Sequence, residues 1–534
     1  MTRPGSADRA LAILSGILLG AAFLPRVPGF LAWGALVPLL AALERRAQAR
    51  APARALFRLG WLFGFVFFLI GTHWIALLSD VAITVPWLKY PAWVVASAYL
   101  ALFSGLATAG AGLLSRPVRV RSSRDEAAPG AAAPALQRIP LALAFPMVYL
   151  AIEELRASGE LGFPWFQPGY TQHAYLPLLQ LASLGSVSLV TLWLLFLNVL
   201  LWRALAGGAR VRAALGAVFL VLVPWLWGGR VLAAAPRERG PQVALVQGNV
   251  SGEIKWSGRH QRQILARFLD LSERAARHEP RPVVIIWPET ATGSFLRRQP
   301  EQALAVAAFT SRMAVPVFSG FAHYGWDSTG VPRYYNAAGL FEPGGRPGPV
   351  YAKRHLVPFG ERMPFERLFP WLARVDLGQA EWTPGGRSVL FPSAAGPFSC
   401  LVCFEAIFPG LSRADVRAGA RWLVNITNDE WFGNSAALYQ HAAMAVFRAV
   451  ENHVPLARCA NTGLTLVADA NGRVVEKLPV FQPGVLVAAL PGGVPRDFPS
   501  AYNRLGDWPG LLSLVGAAAL TIAAALRTRD SRSR

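Results

Sequence analysis

Long apolar runs dominate both ends of this sequence, and they constrain the fold more than any other feature. They fill much of the first 230 residues and the last 30, whereas the residues between have the mixed composition of a globular domain. A helix needs about 20 mostly apolar residues to cross a bilayer. We therefore predict a polytopic α-helical membrane protein with an inserted soluble domain. The eight predicted spans are residues 10–24, 30–43, 57–78, 92–114, 139–155, 184–205, 215–227 and 508–526.

These spans predict four parts of the chain. Residues 1–230 hold transmembrane helices 1–7, and residues 241–490 form the soluble domain. Residues 507–527 form helix 8, and residues 528–534 form a cytoplasmic basic tail. The first 24 residues are also typical of a signal peptide, but no suitable cleavage site follows the apolar core. We therefore predict a retained helix.

The distribution of arginine predicts the orientation of these spans. With the N-terminus inside, one inner segment holds five arginines between residues 45 and 58. The outer loops before the soluble domain hold only Arg26, Lys89 and Arg156. Because Lys and Arg concentrate in cytoplasmic loops, the soluble domain is predicted on the outer face. Much of the net charge of +21 is thus explained by arginines in the cytoplasmic loops, which set the orientation of the spans. Because no nucleic-acid-binding motif is present in the sequence, no nucleic-acid partner is expected.

The three cysteines, Cys400, Cys403 and Cys459, are too few and of the wrong parity for a disulfide framework. Cys400 and Cys403 form a C-x-x-C within a predicted buried strand, where positions three apart point to opposite faces. No second Cys/His pair at zinc-finger spacing is present in the sequence. We therefore expect neither a metal site nor a redox pair.

From residue 241 the pattern changes to short strands alternating with turns and helices. Helices are predicted over 259–278 and 434–453, and Asn471-Gly472 predicts a hairpin turn. Such a mixture favours a layered α/β or α+β domain. The predicted strands are 243–247, 283–287, 315–320, 389–391, 399–403, 422–425, 456–460 and 464–468.

Three ionisable residues, Glu289, Lys353 and Cys403, each lie beside a turn or at the end of a predicted strand. Taken singly, they fit a surface carboxylate, a solvated lysine and a small core residue. Together they have complementary chemistry, because an ammonium stabilises a thiolate and a carboxylate can accept the thiol proton. The lysine and a backbone N–H after the cysteine can hold a tetrahedral oxyanion. No G-x-S-x-G elbow offers a serine alternative.

The motifs around these residues carry a family resemblance. WPE at Glu289, KRHLVPFGE at Lys353 and CFE at Cys403 resemble the nitrilase (carbon-nitrogen hydrolase) superfamily. Apolar helices on both sides narrow the resemblance to the apolipoprotein N-acyltransferase family, and the similarity covers nearly the whole chain. Further segments that resemble this family are GFPWFQPGY, VQGNV, TNDEWFG, RCANTG and YNRLGDWP.

The resemblance implies a nitrilase-like αββα sandwich on about eight helices, facing the periplasm from a bacterial inner membrane. The implied reaction is ping-pong. An acyl chain, preferably the sn-1 chain, moves from a phospholipid such as phosphatidylethanolamine to Cys403 as a thioester. It then moves to the α-amine of the diacylglyceryl-cysteine of an apolipoprotein. The implied partners are this donor, this acceptor and the bilayer, with no cofactor, and we expect a monomer.

The resemblance also implies roles for individual residues. Glu289 is expected to be the general base and Lys353 the oxyanion partner, with Glu361 a second required carboxylate. The family commonly has Tyr directly after the nucleophile, where this chain has Phe404, which puts any role of a phenol hydroxyl in doubt. The backbone N–H at that position is unaffected. Supporting roles are implied for Glu361, Phe404 and Glu405. Trp256 and Trp431 are expected on loops that flank the lipid route and to bind substrate.

Two alternative functions were considered besides acyl transfer to lipoproteins. A membrane-tethered, nitrilase-like amidohydrolase would employ the same three residues with water as second nucleophile, but it would leave the eight helices unexplained. An inactive scaffold or transporter is disfavoured, since few ionisable residues, chiefly His73, Glu153 and Glu154, fall within the predicted spans.

Overall fold

The computed structural model describes residues 4–79, 85–119, 136–137, 139–207, 209–234, 240–345, 347–366, 368–374, 380–491 and 500–530. Residues 531–534 of the predicted basic tail lie outside the described residues.

The helices fall into a membrane-type group before and after a mixed domain. In chain order they are α1 Pro4–Ala21, α2 Val37–Gln48, α3 Ala53–Gly71, α4 Lys89–Leu114, α5 Leu141–Arg156, α6 Leu176–Leu179, α7 Ala182–Ala206, α8 Arg210–Ala234, α9 Gly252–Trp256, α10 Gln261–Ala276, α11 Pro300–Met313, α12 Pro409–Arg417, α13 Ala436–Asn452, α14 Ala501–Leu505 and α15 Trp508–Asp530.

Five helices within the described residues are long and apolar enough to cross a membrane: Ala53–Leu77, Lys89–Leu114, Ala182–Ala206, Arg210–Ala234 and Trp508–Leu526. Of the other three predicted spans, residues 10–24 and 139–155 are largely α-helical, whereas residues 30–43 comprise most of the 3₁₀ helix Gly29–Trp33, a turn and the first part of α2. However, α2 has 12 residues and α5 has 16, and α1 has 18 residues with Asp8 and Arg9 near its start. The described helices therefore fit a membrane protein.

The strands of the described residues form two large sheets and one antiparallel pair, β1 Val118–Arg119 with β2 Leu136–Gln137. The other strands are β3 Gln242–Gln247, β4 Ile285–Ile286, β5 Val317–Trp326, β6 Pro332–Phe341, β7 Pro347–Ala352, β8 Phe398–Val402, β9 Trp422–Thr427, β10 Leu456–Ala460, β11 Leu466–Ala468, β12 Val474–Lys477 and β13 Gly484–Ala489. One large sheet has six strands in the order β13-β3-β4-β5-β6-β7, and the other has five in the order β12-β11-β10-β9-β8.

The two large sheets pack face to face and are covered by helices on both outer faces. Side chains such as Leu245, Phe318 and Ile426 fill the space between the sheets. Apolar residues of α10 and α11 cover the six-stranded sheet, and those of α12 and α13 cover the five-stranded sheet. Strands such as β8 and β9 are buried along their whole length, so both of their faces need a packing partner, one from the other sheet and one from the helices. The mixed domain is therefore an αββα sandwich.

Most predicted strands are present, with two differences. The predicted strand 389–391 is reduced to a single bridge between Phe391 and Phe398, because the chain turns at residues 393–396 and returns as β8. Conversely, the sequence patterns did not predict β1, β2, β6, β7 and β13, and they indicated β12 only through its hairpin turn. The Asn471-Gly472 hairpin prediction is confirmed, since this turn joins antiparallel strands β11 and β12.

The sandwich and the membrane helices share an apolar core. Phe447 and Met444 of α13 belong to the same buried cluster as the side chains of α1 to α8. Trp165, in the loop after α5, donates a hydrogen bond to Gln440 Oε1 on α13 at 2.9 Å. Glu153 at the end of α5 is buried in an ion pair with Arg156, so it is not a solvated interfacial acid.

Candidate active site

Glu289 lies three residues beyond β4, at the carboxyl end of a parallel strand. Its side chain is buried. Asn336 Nδ2 donates to Oε1 at 2.7 Å, and the backbone N–H of Asn428, just beyond β9, donates to Oε2 at 2.9 Å. Each carboxylate oxygen is thus oriented by a donor from a different sheet, Asn336 from the six-stranded sheet and Asn428 from the end of β9 in the five-stranded sheet. This leaves Glu289 fixed at the edge where the strand ends converge.

Lys353 directly follows β7 and is buried between two carboxylates. Its Nζ lies 2.8 Å from Glu361 Oε2 and 3.7 Å from Glu289 Oε1. Burial disfavours the charged ammonium, but Glu361 and Glu289 outweigh burial and raise the pKa of Lys353 above its ordinary value. The lysine is therefore a permanent cation at neutral pH, held in place by the carboxylates on either side.

Cys403 directly follows β8 and begins a 3₁₀ turn, Cys403–Ile407. Its φ of +50° is left-handed, a conformation that costs a residue other than glycine about 1–3 kcal/mol. Burial and the Glu289 carboxylate raise the pKa of the thiol, while Lys353 opposes them. The resting thiol is therefore protonated, and a base has to remove its proton during an attack.

Glu405 holds the Cys403 turn to the loop after Lys353. Its Oε2 accepts the N–H of Val402 at 2.7 Å, and its Oε1 accepts the N–H of Arg354 at 2.6 Å and of His355 at 3.1 Å. The hydroxyl of Tyr351 lies 2.7 Å from Oε2 and 2.8 Å from Oε1. Glu405 is fully buried, and it joins the two segments that carry the thiol and the ammonium.

Phe404 faces the membrane helices and not the sandwich core. Its ring lies 6.3 Å from that of Phe163, in the loop after α5, and 5.4 Å from that of Phe408. Phe404 and Ile407 both belong to the apolar cluster of the membrane helices. The turn that begins with the thiol is therefore built into the junction of the two parts.

The two tryptophans predicted to flank the substrate route lie together at one opening. Trp256 ends the short helix α9, not a loop, and Trp431 lies in a 3₁₀ turn; they are 47% and 40% exposed. Both line a small cavity with Glu430 and with Ser79, which follows α3. The backbone N–H of Ser79 donates to the carbonyl of Trp431 at 3.1 Å. This opening is thus placed between the membrane helices and the sandwich.

The structure brings together Glu289, Lys353 and Glu361, and it places Cys403 where the charges of Glu289 and Lys353 act on its thiol. Asn336 also belongs to this site and was not predicted from the sequence; its Nδ2 donates to both Glu289 and Glu361, the latter at 3.0 Å. No sequence pattern singled out this residue, because its strand was not predicted.

Buried Lys255 was missed as well. Its Nζ donates to the backbone carbonyl of Glu289 at 3.3 Å. Burial lowers the pKa of Lys255 to about 8, against the attraction of Glu289 and Glu430. In the sequence, only the neighbouring Trp256 had been singled out, and no pattern indicated that Lys255 is buried. A second buried lysine, in addition to Lys353, therefore contacts the backbone of Glu289.

A protonated thiol, a buried carboxylate and a fixed ammonium permit acyl transfer through a covalent thioester. An αββα sandwich with these groups at its strand ends has the architecture of a carbon-nitrogen hydrolase. Indeed, the family model described as "Carbon-nitrogen hydrolase" matches residues 242–496. The model described as "Apolipoprotein N-acyltransferase N-terminal domain" matches residues 15–200.

Relatives match over almost the whole chain. The apolipoprotein N-acyltransferase of Geobacter metallireducens is 34% identical over 96% of this chain and 94% of its own length. That of Chlorobaculum tepidum is 31% identical over 95% of this chain and 96% of its own, and that of Azotobacter vinelandii is 33% identical over 100% and 97%. A solved amidase from Nesterenkonia sp. is 20% identical, with a TM-score of 0.36 over 48% of this chain and 93% of its own.

This chain belongs to the apolipoprotein N-acyltransferase family, and it is an acyltransferase of the carbon-nitrogen hydrolase superfamily. The amidohydrolase alternative is not favoured, because the relatives match the membrane helices as well as the sandwich.

Proposed function

We propose that the chain transfers an acyl chain from a phospholipid to Cys403 and then to the N-terminal amine of a diacylglyceryl apolipoprotein. The observation that carries the proposal is the position of the thiol. Cys403 belongs to the buried cluster between the two sheets, whereas Phe404 and Ile407 of the same turn belong to the apolar cluster of the membrane helices. Such a nucleophile is suited to esters that remain anchored in a bilayer.

In the first half-reaction, Glu289 accepts the thiol proton as Sγ attacks the ester carbonyl. Lys353 and the backbone N–H of Phe404 stabilise the oxyanion. Collapse breaks the ester C–O bond, and the leaving glycerol oxygen takes the proton back from Glu289. The products are a thioester on Cys403 and a lysophospholipid.

In the second half-reaction, the lipoprotein's amine attacks the thioester carbonyl. Glu289 accepts a proton from the amine, the C–S bond breaks, and the thiolate takes up that proton. The products are an amide and the free thiol. Lys353, held by its ion pair with Glu361, stabilises the oxyanion in this half-reaction as in the first.

The proposed membrane arrangement has eight spans, with helices 1–7 in residues 1–230 and helix 8 in residues 507–527. The sandwich, residues 241–490, then lies on the periplasmic side of the inner membrane, and Trp256 and Trp431 flank the lipid route. The arginine distribution supports this orientation. Labelling of a single introduced surface cysteine by an impermeant maleimide in intact spheroplasts tests it, and labelling only after lysis would contradict it.

Phosphatidylethanolamine is the proposed donor, through its sn-1 chain, and the enzyme is proposed to act as a monomer. The test uses purified full-length enzyme and phosphatidylethanolamine with distinguishable sn-1 and sn-2 chains. We expect a mass increase of one sn-1 acyl chain on the peptide containing Cys403, and its loss when a diacylglyceryl peptide is added.

The matched controls are Cys403→Ala, which should form no adduct, and Cys400→Ala, which changes a buried thiol three residues away. An adduct that persists in Cys403→Ala would refute the assignment of the nucleophile. Release of free fatty acid in place of an acylated peptide would refute the transferase reaction.

A further inference from the structure

A buried histidine contacts the backbone of the proposed nucleophile, Cys403, but has no role in the two proposed half-reactions. His441 on α13 is fully buried, and its Nε2 lies 3.0 Å from the carbonyl oxygen of Cys403. A carbonyl oxygen can only accept a hydrogen bond, so the contact is made by the tautomer with its proton on Nε2, in which Nδ1 accepts from Arg458 Nη2. The contact thus joins a helix of the sandwich to the first peptide group after the thiol.

His441 is itself held in place by other buried side chains. Its Nδ1 lies 2.9 Å from Asp429 Oδ1 and 3.2 Å from Arg458 Nη2. Arg458 Nη2 also donates to Asp429 Oδ2 at 2.6 Å, and Thr427 donates to Asp429 Oδ1 at 2.8 Å. The ring stacks on Trp165 with centroids 5.3 Å apart. Every edge of the imidazole is therefore constrained.

The peptide group that His441 contacts also contains the proposed oxyanion donor. The carbonyl of Cys403 and the N–H of Phe404 belong to one planar trans unit, in which C=O and N–H point in opposite directions. Fixing the carbonyl therefore fixes the direction of the N–H. A hydrogen bond to the carbonyl also polarises the unit and makes its N–H a better donor.

We propose that His441, oriented by Asp429 and Arg458, is a positioning residue that aims the Phe404 N–H at the oxyanion. This inference rests on the proposed function, because it assumes a tetrahedral intermediate on Cys403. The left-handed φ of Cys403 supports this role, because a strained backbone conformation persists only when surrounding contacts hold the peptide plane in place.

The test compares two reactions of the same thiol. Acylation by phospholipid develops an oxyanion, whereas alkylation by iodoacetamide displaces iodide from carbon and develops none. His441→Phe keeps the ring and its stacking on Trp165 but removes the N–H donor. Loss of one oxyanion donor slows acyl transfer about 10²- to 10³-fold, and a misaimed donor is expected to slow it about tenfold or more.

We therefore expect His441→Phe to slow formation of the Cys403 acyl-enzyme at saturating phospholipid, with alkylation of Cys403 within about threefold of wild type. His441→Gln, whose amide can donate to the same carbonyl, should recover part of the lost rate. Asn452→Ala is the matched control, because Asn452 is buried on the same helix and bonds to Ser412, away from the elbow. It should acylate normally.

Two outcomes would overturn the inference. If acylation and alkylation fall together in His441→Phe, the histidine only maintains the fold of the turn. If acylation in His441→Phe is unchanged, the histidine does not orient the Phe404 N–H. Absence of any acyl adduct on Cys403 in the wild-type enzyme is a separate result, since it refutes the proposed function itself.

Discussion

Replacing Glu405 by glutamine tests whether one buried carboxylate holds the two halves of the site together. The carboxylate accepts four donors, namely Tyr351 OH and the N–H groups of Val402, Arg354 and His355. Glutamine keeps one acceptor oxygen. If that oxygen stays with Arg354 and His355, the new NH₂ group faces the N–H of Val402, where two donors meet. The turn and the loop can then no longer both be satisfied.

The expected cost follows from those contacts. One charge-assisted hydrogen bond contributes about 1.5–3 kcal/mol, and the stranded N–H of Val402 costs roughly 1–3 kcal/mol more. A total of about 2.5–6 kcal/mol should lower the thermal midpoint of a domain of this size by roughly 5–24 °C. A displacement of the Cys403 turn of about 1 Å should also slow acyl-enzyme formation ~10²-fold.

Both quantities are measurable on the full-length enzyme in detergent. Tryptophan fluorescence on heating gives the thermal midpoint, and the mass of the Cys403 peptide over time gives the acylation rate. Tyr351→Phe is the graded control, because it removes one donor and leaves all three backbone N–H groups bonded to the carboxylate. It should show a smaller loss of both quantities. Wild-type values in Glu405→Gln would refute the reasoning.

Further predictions concern groups around the site. Asn336→Leu removes two hydrogen bonds to carboxylates, so acylation should slow at least ~100-fold, and a smaller effect in the same mass assay would contradict the role of Asn336. Cys400→Ala and Cys459→Ala should lower the thermal midpoint through lost packing but keep acyl-enzyme formation near the wild-type rate; complete loss in either would mean the site is misassigned. The pKa of Lys255 is lowered to about 8 in the folded state, so the unfolded state binds more protons between about pH 8 and 10.5 and stability should rise over that range. Lys255→Met should abolish this rise in the thermal midpoint, and an identical pH dependence in both proteins would refute it.

Apolar composition explains some of the strand predictions but not all of them. β10, Leu456–Ala460, was predicted to the residue because it is buried on both faces and four of its five residues are apolar, whereas the equally apolar β13, Gly484–Ala489, was missed. β6 begins with exposed Pro332 and Arg333, and β7 contains Pro and Gly, so neither has the pattern of a buried strand. Asn336 on β6 was missed for that reason, although Glu289, Lys353 and Cys403 were placed by their motifs.

The buried hydrogen-bond network next to Cys403, the proposed nucleophile, has no local signature in the sequence. α13 was predicted from its helical periodicity, and His441 lies on its buried side like the apolar residues around it. Arg458 is a buried cation in the middle of an apolar strand, which is unusual, but its partner Asp429 lies 29 residues away. Only the sheet order β10-β9-β8 brings these residues to one place behind the thiol.

The residue that departs from the family pattern can be understood from this arrangement. The sequence left open whether a phenol hydroxyl at position 404 is needed to orient a carboxylate. Glu405, the adjacent carboxylate, is oriented by Tyr351 and by backbone N–H groups. Glu289 and Glu361 are oriented by Asn336. The ring of Phe404 instead packs against Phe163 in the membrane core. An apolar ring is sufficient for that contact, so orientation of these three carboxylates does not depend on a hydroxyl at position 404.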